Sequence, residues 1–190
     1  MRKFLSVLLA MAMVLSLTVT GFAIEDTAAA TDAETKTEAT MAGKTVILHT
    51  NDVHGAVNGY AYIAQLKADY EAKGAEVILV DAGDYSQGKT YVSVTKGADA
   101  VTMMNAAGYD VVTLGNHEFD YGYEQVKTNM AAFNGKVLCA NVLENGKSIF
   151  DGHTIIEKDG VKIGFFGMET PEASTKANPA LIKGLKFPAG

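Results

Sequence analysis

Cysteine is nearly missing from this chain. Its 190 residues include one, Cys139. One cysteine excludes a disulfide scaffold. Positive charge is also short: 16 Lys and Arg stand against 22 Asp and Glu, a net charge of −6. An acidic protein gains no counterion-release energy from a polyphosphate backbone, so a nucleic-acid polymer is excluded as a general partner. A small phosphorylated ligand remains open if positive charge comes from elsewhere, for example from a metal ion. Long apolar runs are absent after the first two dozen residues, which excludes a polytopic membrane protein. What is present is 48% hydrophobic residues at a length suited to one ordinary domain, so the chain is not disordered throughout.

Residues 1–23 read as an export signal. Arg2 and Lys3 form a positive start, Phe4 to Leu17 is almost continuous hydrocarbon, and Gly21-Phe22-Ala23 offers small residues for cleavage. An uncleaved anchor is the other reading, because the run to Ile24 is just long enough to span a bilayer. Cleavage would leave no stable membrane insertion and an exported protein, extracellular, periplasmic or cell-wall associated. Residues 24–43 are Ala, Thr and acidic residues without periodicity, and read as a disordered linker that only Met41 could anchor. The folded part is expected over residues 44–190.

Within it, Lys44–His49 and Glu76–Asp81 read as strands, the second apolar on both faces as in a buried parallel sheet. Tyr60–Lys73 has helical apolar spacing and ends at Gly74; Ala98–Ala107 ends at Gly108. A strand is expected over Tyr109–Leu114, a helix over Tyr123–Phe133, and a strand over Lys136–Ala140. Segments 148–158 and 161–168 flank Asp159-Gly160, a hairpin signal. The order β-α-β-α-β-α-β plus hairpin predicts a layered α/β fold, with a mostly parallel sheet and an antiparallel extension. The tail from Asn178 to Gly190 shows neither a helix cap nor a closing strand.

Parallel sheets bind ligands at the carboxyl ends of their strands. Three loops occupy that place: His49-Thr50-Asn51-Asp52-Val53-His54-Gly55, Asp81-Ala82-Gly83-Asp84-Tyr85-Ser86-Gln87-Gly88 and Gly115-Asn116-His117-Glu118-Phe119-Asp120-Tyr121-Gly122. Each carries carboxylate, imidazole or amide ligands beside turn-permitting glycine. Such a donor set suits Zn, Mn, Fe or Mg without thiols. Taken singly, Asp52 is an ordinary turn residue, His54 a surface histidine, His117 a packed one, Asn116 a turn former and Glu118 an acid at a helix start. Asp81 is expected to bond loop amides. His49, His153 and Cys139 read as structural. A competing motif overlaps the second loop. Gly83 to Thr90 fits the phosphate-loop pattern G-x-x-x-x-G-K-S/T, although Asp84 would repel the anion it should cradle.

The strings ILHTNDVHG, VDAGDYSQG and TLGNHEFDYG resemble the first three signature blocks of the calcineurin-like metallophosphoesterases, in the 5′-nucleotidase branch, which also holds UDP-sugar hydrolases and 2′,3′-cyclic-nucleotide phosphodiesterases. The resemblance runs from Val46 to about Pro171. It implies the layered metallophosphoesterase α/β sandwich and hydrolysis of a nucleotide or related small phosphate ester with two divalent ions. It implies that Asp52, His54 and Asp84 hold one ion and that Asp84 and Asn116 begin the second site. It gives His117 the catalytic role, stabilising the phosphate or protonating the leaving oxygen, with Asp120 fixing the His117 tautomer. It also calls for a further histidine, a later Gly-His-x-His/Gln block and a C-terminal nucleoside-binding domain. None is in this sequence, so the chain is expected to be the N-terminal part of a larger enzyme, with a non-catalytic metal-binding remnant as the alternative.

Overall fold

The computed structural model describes residues 40–189. The expected signal and most of the expected linker lie outside them. Strand β1 (Thr45–Thr50) is followed by helix α1 (Val57–Ala72), β2 (Glu76–Asp81), α2 (Thr90–Val94), α3 (Ala98–Ala107) and β3 (Val111–Thr113). A 3₁₀ turn at Asn116–Phe119 leads to α4 (Tyr123–Ala131) and β4 (Lys136–Leu138). Then come β5 (Leu143–Glu144), β6 (Lys147–Ser148), β7 (His153–Lys158), β8 (Val161–Phe166), α5 (Ala173–Lys176) and β9 (Leu185–Lys186). Among the described residues no helix is long and apolar enough to cross a membrane.

Strands β1 to β4 form one parallel sheet in chain order. Leu48 pairs with Leu79, Asp81 with Val112, and Val112 with Val137, so these residues share one face. That face joins Tyr60, Val101, Met104, Val126 and Met130 from the helices in the core. Leu79 and Val112 are almost wholly buried, each contributing about 1.5–3 kcal/mol. Gly108 ends α3 in the left-handed region, at φ 74°, as its place after the apolar stripe predicts. Because all four strands run the same way, the chain leaves β1, β2 and β3 at one edge, and the three chemistry-bearing loops emerge side by side.

The α/β order is as expected; three details differ. The hairpin β7–β8 is a separate two-stranded sheet, joined to β4 through a bridge between Leu138 and Asp151 rather than extending the parallel sheet. The tail does close a strand: β9 pairs with β5, while Phe187 is buried with its ring 5.2 Å from that of Phe119. Two-residue strands have too little pattern to show in sequence. Helix α2 was also not expected, since Thr90-Tyr91-Val92-Ser93-Val94 is β-branched; burial of Val92 in the core overrides its propensity. At the front, Met41 is half-buried, and its amide donates to the Lys73 carbonyl at 2.8 Å, fastening it to the end of α1.

Candidate metal centre

Each loop is held by bonds that its own sequence supplies. Asp81 ends β2 buried; its Oδ1 accepts from the Gly83 amide at 2.8 Å and its Oδ2 from the Thr50 hydroxyl at 2.5 Å. It therefore shapes the loop, as expected. Burial pushes its pKa up to about 7, opposed by the Thr50 and Gly83 hydrogen bonds. The first two loops are stitched by backbone: Asp52 N–H donates to Gly83 O, and His54 N–H to Asp84 O, at 3.0 and 3.1 Å. Gly83 sits at φ 106°, and a Cβ there would stand 2.5–2.9 Å from the backbone of Leu114 and Gly115. Only glycine lets the second and third loops approach this closely.

Three of the expected ligands, Asp52, His54 and Asp84, occupy the left-handed region, at φ 54°, 47° and 61°. Non-glycine residues pay about 1 kcal/mol or more for that conformation, and such strain clusters at functional sites. The return is convergence. His54, Asp84 and His117 each present a ligand atom, all within 4.8 Å of one another. The Asp52 carboxylate lies 3.7 Å from His54 Nε2 and is more exposed. Asn116 is buried at the start of the 3₁₀ turn, and its side-chain amide has no hydrogen-bond partner among the described residues.

Both imidazoles have a determined tautomer when neutral. His54 Nδ1 lies 3.1 Å from the Gln87 carbonyl, which can only accept, so Nδ1 carries hydrogen and Nε2 a lone pair. His117 Nδ1 lies 2.7 Å from Asp120 Oδ2, which leaves His117 Nε2 free in the same way. Partial burial lowers the His117 pKa, but the Asp120 hydrogen bond and charge, with Asp84 and Glu118, outweigh it and raise the value. The two rings meet edge to face, 5.1 Å between centroids. The Asp84 Oδ1 accepts from the His117 backbone amide at 2.9 Å, which aims the carboxylate between them. The lone-pair nitrogens of His54 and His117 and the Asp84 carboxylate form a donor set that fits a borderline divalent cation.

Sequence reading missed Glu118. It is 2% exposed, and its carboxylate accepts from the amides of Asp84, Tyr85 and Ser86 at 2.9–3.0 Å and from the Ser86 hydroxyl at 2.7 Å. Those amides are the ones a phosphate-cradling loop would need free. The phosphate-loop reading of Gly83–Thr90 is therefore overturned: the loop already encloses an anion, and it is the protein's own. An acid so close to the chemistry-bearing loop was the only signal, and it looks the same as an ordinary helix-start acid. The other residues read as structural stay so. His49 and His153 are exposed in strands, and Cys139 is buried with its thiol pushed up to about 11 by desolvation.

Residues 45–183 match the calcineurin-like phosphoesterase family. The chain belongs to that family. Among its curated relatives, a 5′-nucleotidase of Vibrio cholerae is 35% identical over 163 residues, covering 79% of this chain and 30% of that protein. A 5′-nucleotidase of Bos taurus is 31% identical, over 70% of this chain and 27% of that protein. A solved putative 5′-nucleotidase from Staphylococcus aureus superposes with a TM-score of 0.67 at 25% identity, over 77% of this chain and 32% of its own. A 5′-nucleotidase precursor from Thermus thermophilus gives 0.67 at 26%, over 75% and 31%. This chain thus spans about 30% of the length of the first relatives it matches.

Proposed function

We propose that this chain carries part of the active site of an exported, metal-dependent phosphoesterase that hydrolyses nucleotides or related small phosphate esters. The observation that supports it is the meeting of His54, Asp84 and His117 at the ends of three adjacent parallel strands. Membership of the phosphoesterase family and relatives named 5′-nucleotidase support that substrate class. Asp52, His54 and Asp84 would hold one divalent cation, and Asp84 with Asn116 would begin a second site. When bound, such a pair offsets phosphate charge and generates hydroxide near neutral pH.

The chain's own residues do the rest. A dianionic phosphate entering a protein of net charge −6 meets Asp52, Asp84 and Asp120, so cations are needed to admit it. Asp84 is held between the loops by the His117 amide and does not need to reorganise. His117, with Nδ1 fixed on Asp120, keeps a proton at Nε2 when charged and can pass it to the leaving oxygen. The test is a hydrolysis panel of AMP, a UDP-sugar and 2′,3′-cyclic AMP on the full-length gene product, with and without Mn²⁺ or Zn²⁺ after chelation. Cation-dependent turnover of one of them supports the reading. Cation binding without turnover of any points instead to a non-catalytic metal-binding remnant.

A further inference from the structure

Tyr109 stands outside the three signature strings and is 4% exposed. Its backbone is fixed where the chain leaves α3. The Tyr109 N–H donates to Met104 O at 3.1 Å, and the next N–H, of Asp110, donates to Leu79 O in β2 at 2.8 Å. Its ring meets that of Tyr60 in α1 edge to face, 6.2 Å between centroids. The hydroxyl so held lies 2.8 Å from Thr50 Oγ1 at the end of β1. Thr50 has a single hydroxyl hydrogen, which it gives to Asp81 Oδ2 at 2.5 Å. Toward Tyr109 it can only accept, so the tyrosine donates.

From Thr50 the bonding runs on into the candidate site. Asp81 Oδ1 accepts from Gly83 N–H at 2.8 Å, and Gly83 O accepts from Asp52 N–H at 3.0 Å. Gly83 is also the residue before Asp84. The chain of bonds starts at a buried phenol and ends at the backbone of Asp52 and beside Asp84. Those two aspartates stand at φ 54° and 61°, conformations that persist only where the surroundings over-determine them. A phenylalanine would fill the same place against Tyr60, so packing alone does not call for the hydroxyl. Tyr60 is the contrast: its hydroxyl is buried and has no hydrogen-bond partner among the described residues.

We propose that Tyr109 is a positioning residue of the cation site: by donating to Thr50 it fixes the bonded chain through Asp81 and Gly83 that sets where Asp52 and Asp84 present their carboxylates. It acts through other residues and is not itself at ligand distance. This inference rests on the metal-site reading above.

The test is calorimetric titration of Mn²⁺ into the chelator-treated chain, beside thermal denaturation in EDTA. Both are run at pH 8, above the Asp81 pKa of about 7, so that Asp81 only accepts. Tyr109→Phe is expected to weaken Mn²⁺ binding about 10-fold, the low end of what losing an outer-shell partner costs. Its Tm in EDTA should fall by about 4 °C or less, as for one lost hydrogen bond. Thr50→Val should weaken binding at least as much, and adding Tyr109→Phe to it should weaken binding no further, because the two act in series. Tyr60→Phe, which removes a buried hydroxyl from the same ring pair, should bind as wild type. Unchanged affinity in Tyr109→Phe overturns the proposal, as do additive losses in the double variant or an equal loss in Tyr60→Phe. A Tyr109→Phe chain that fails to fold in EDTA also overturns it, since that marks a role in the core alone. Asp84→Asn separates the two readings. If wild type binds no Mn²⁺, the metal site itself fails, and this inference with it. If wild type binds and Asp84→Asn does not, while Tyr109→Phe binds normally, only the role of Tyr109 fails.

Discussion

Glu118 holds Asp84 by the backbone. Its Oε2 accepts from the Asp84 amide at 2.9 Å, across 34 positions of sequence, while the Asp84 carboxylate accepts from the amide of His117, the residue before Glu118. The second and third loops therefore grip each other reciprocally. Each contributes a carboxylate and each spends backbone donors on the other's. The charge that faces the cation site and the charge that fixes the loop are separate, so the loop keeps its shape whether or not a cation is present.

Removing the inner carboxylate should therefore cost much more than an average substitution. Glu118→Ala leaves the amides of Asp84, Tyr85 and Ser86 without their acceptor in a buried place. A loss of roughly 3–5 kcal/mol is expected. Glu118→Gln keeps an oxygen but turns N–H₂ toward N–H groups, and should fall between. Urea denaturation of the chelator-treated chain measures both. A loss below about 1 kcal/mol for Glu118→Ala would mean that the loop does not depend on it.

A second prediction concerns the spacing of the loops. Gly83→Ala puts a methyl group against the Leu114–Gly115 backbone and forces φ 106° on a residue with a Cβ. Backbone cannot move aside as a flexible side chain can, so the loops must part. Stability should drop by more than the ~1 kcal/mol typical of glycine replacement. Mn²⁺ affinity should fall with it, because Asp84 would move off His54 and His117. Titration calorimetry showing native affinity would contradict this.

The sequence made the sheet legible because continuous apolar runs such as Glu76–Asp81 and glycine stops such as Gly108 are local signals. The candidate loops were legible for the same reason: strand ends are local, and sheet topology converts them into one place. The role of Glu118 was not, since three of its four amide donors lie more than thirty residues away. Nor was the bonding of the Asn141 side chain to the Glu169 backbone, 28 positions apart. Pairing of Leu185–Lys186 with Leu143–Glu144 also depends on tertiary packing and has no period of its own.

Asp81 should give the apo chain a pH-dependent stability. Its folded pKa of about 7 stands above the ~3.9 of an unfolded aspartate, so the native state binds the proton more tightly. Its contribution is fully present below about pH 4 and is lost as pH rises through about 7. Asp81→Asn keeps an acceptor and removes the charge. Relative to wild type it should gain stability between pH 4 and 8, by up to about 4 kcal/mol, and no more above pH 8. Chemical denaturation across that range, in EDTA, checks the sign. A difference independent of pH would show that Asp81 ionises normally.

His117 is expected to matter more to turnover than to cation retention, although the structure places it at ligand distance from Asp84. Its free Nε2 and the Asp120 hydrogen bond suit proton delivery. In the cation-dependent hydrolysis assay, His117→Ala should lower kcat about 10²–10⁴-fold while bound Mn²⁺, measured by mass spectrometry, stays near wild type. His54→Ala, which removes an imidazole held on Gln87, should instead lose the ion. Asp120→Asn isolates the tautomer effect: with its carboxylate gone, the His117 ring should titrate at lower pH in an NMR series on the apo chain, reversing the direction that Asp120 imposes. Parallel loss of ion and turnover in His117→Ala would make His117 a ligand, and would pass the proton-delivery role to another group.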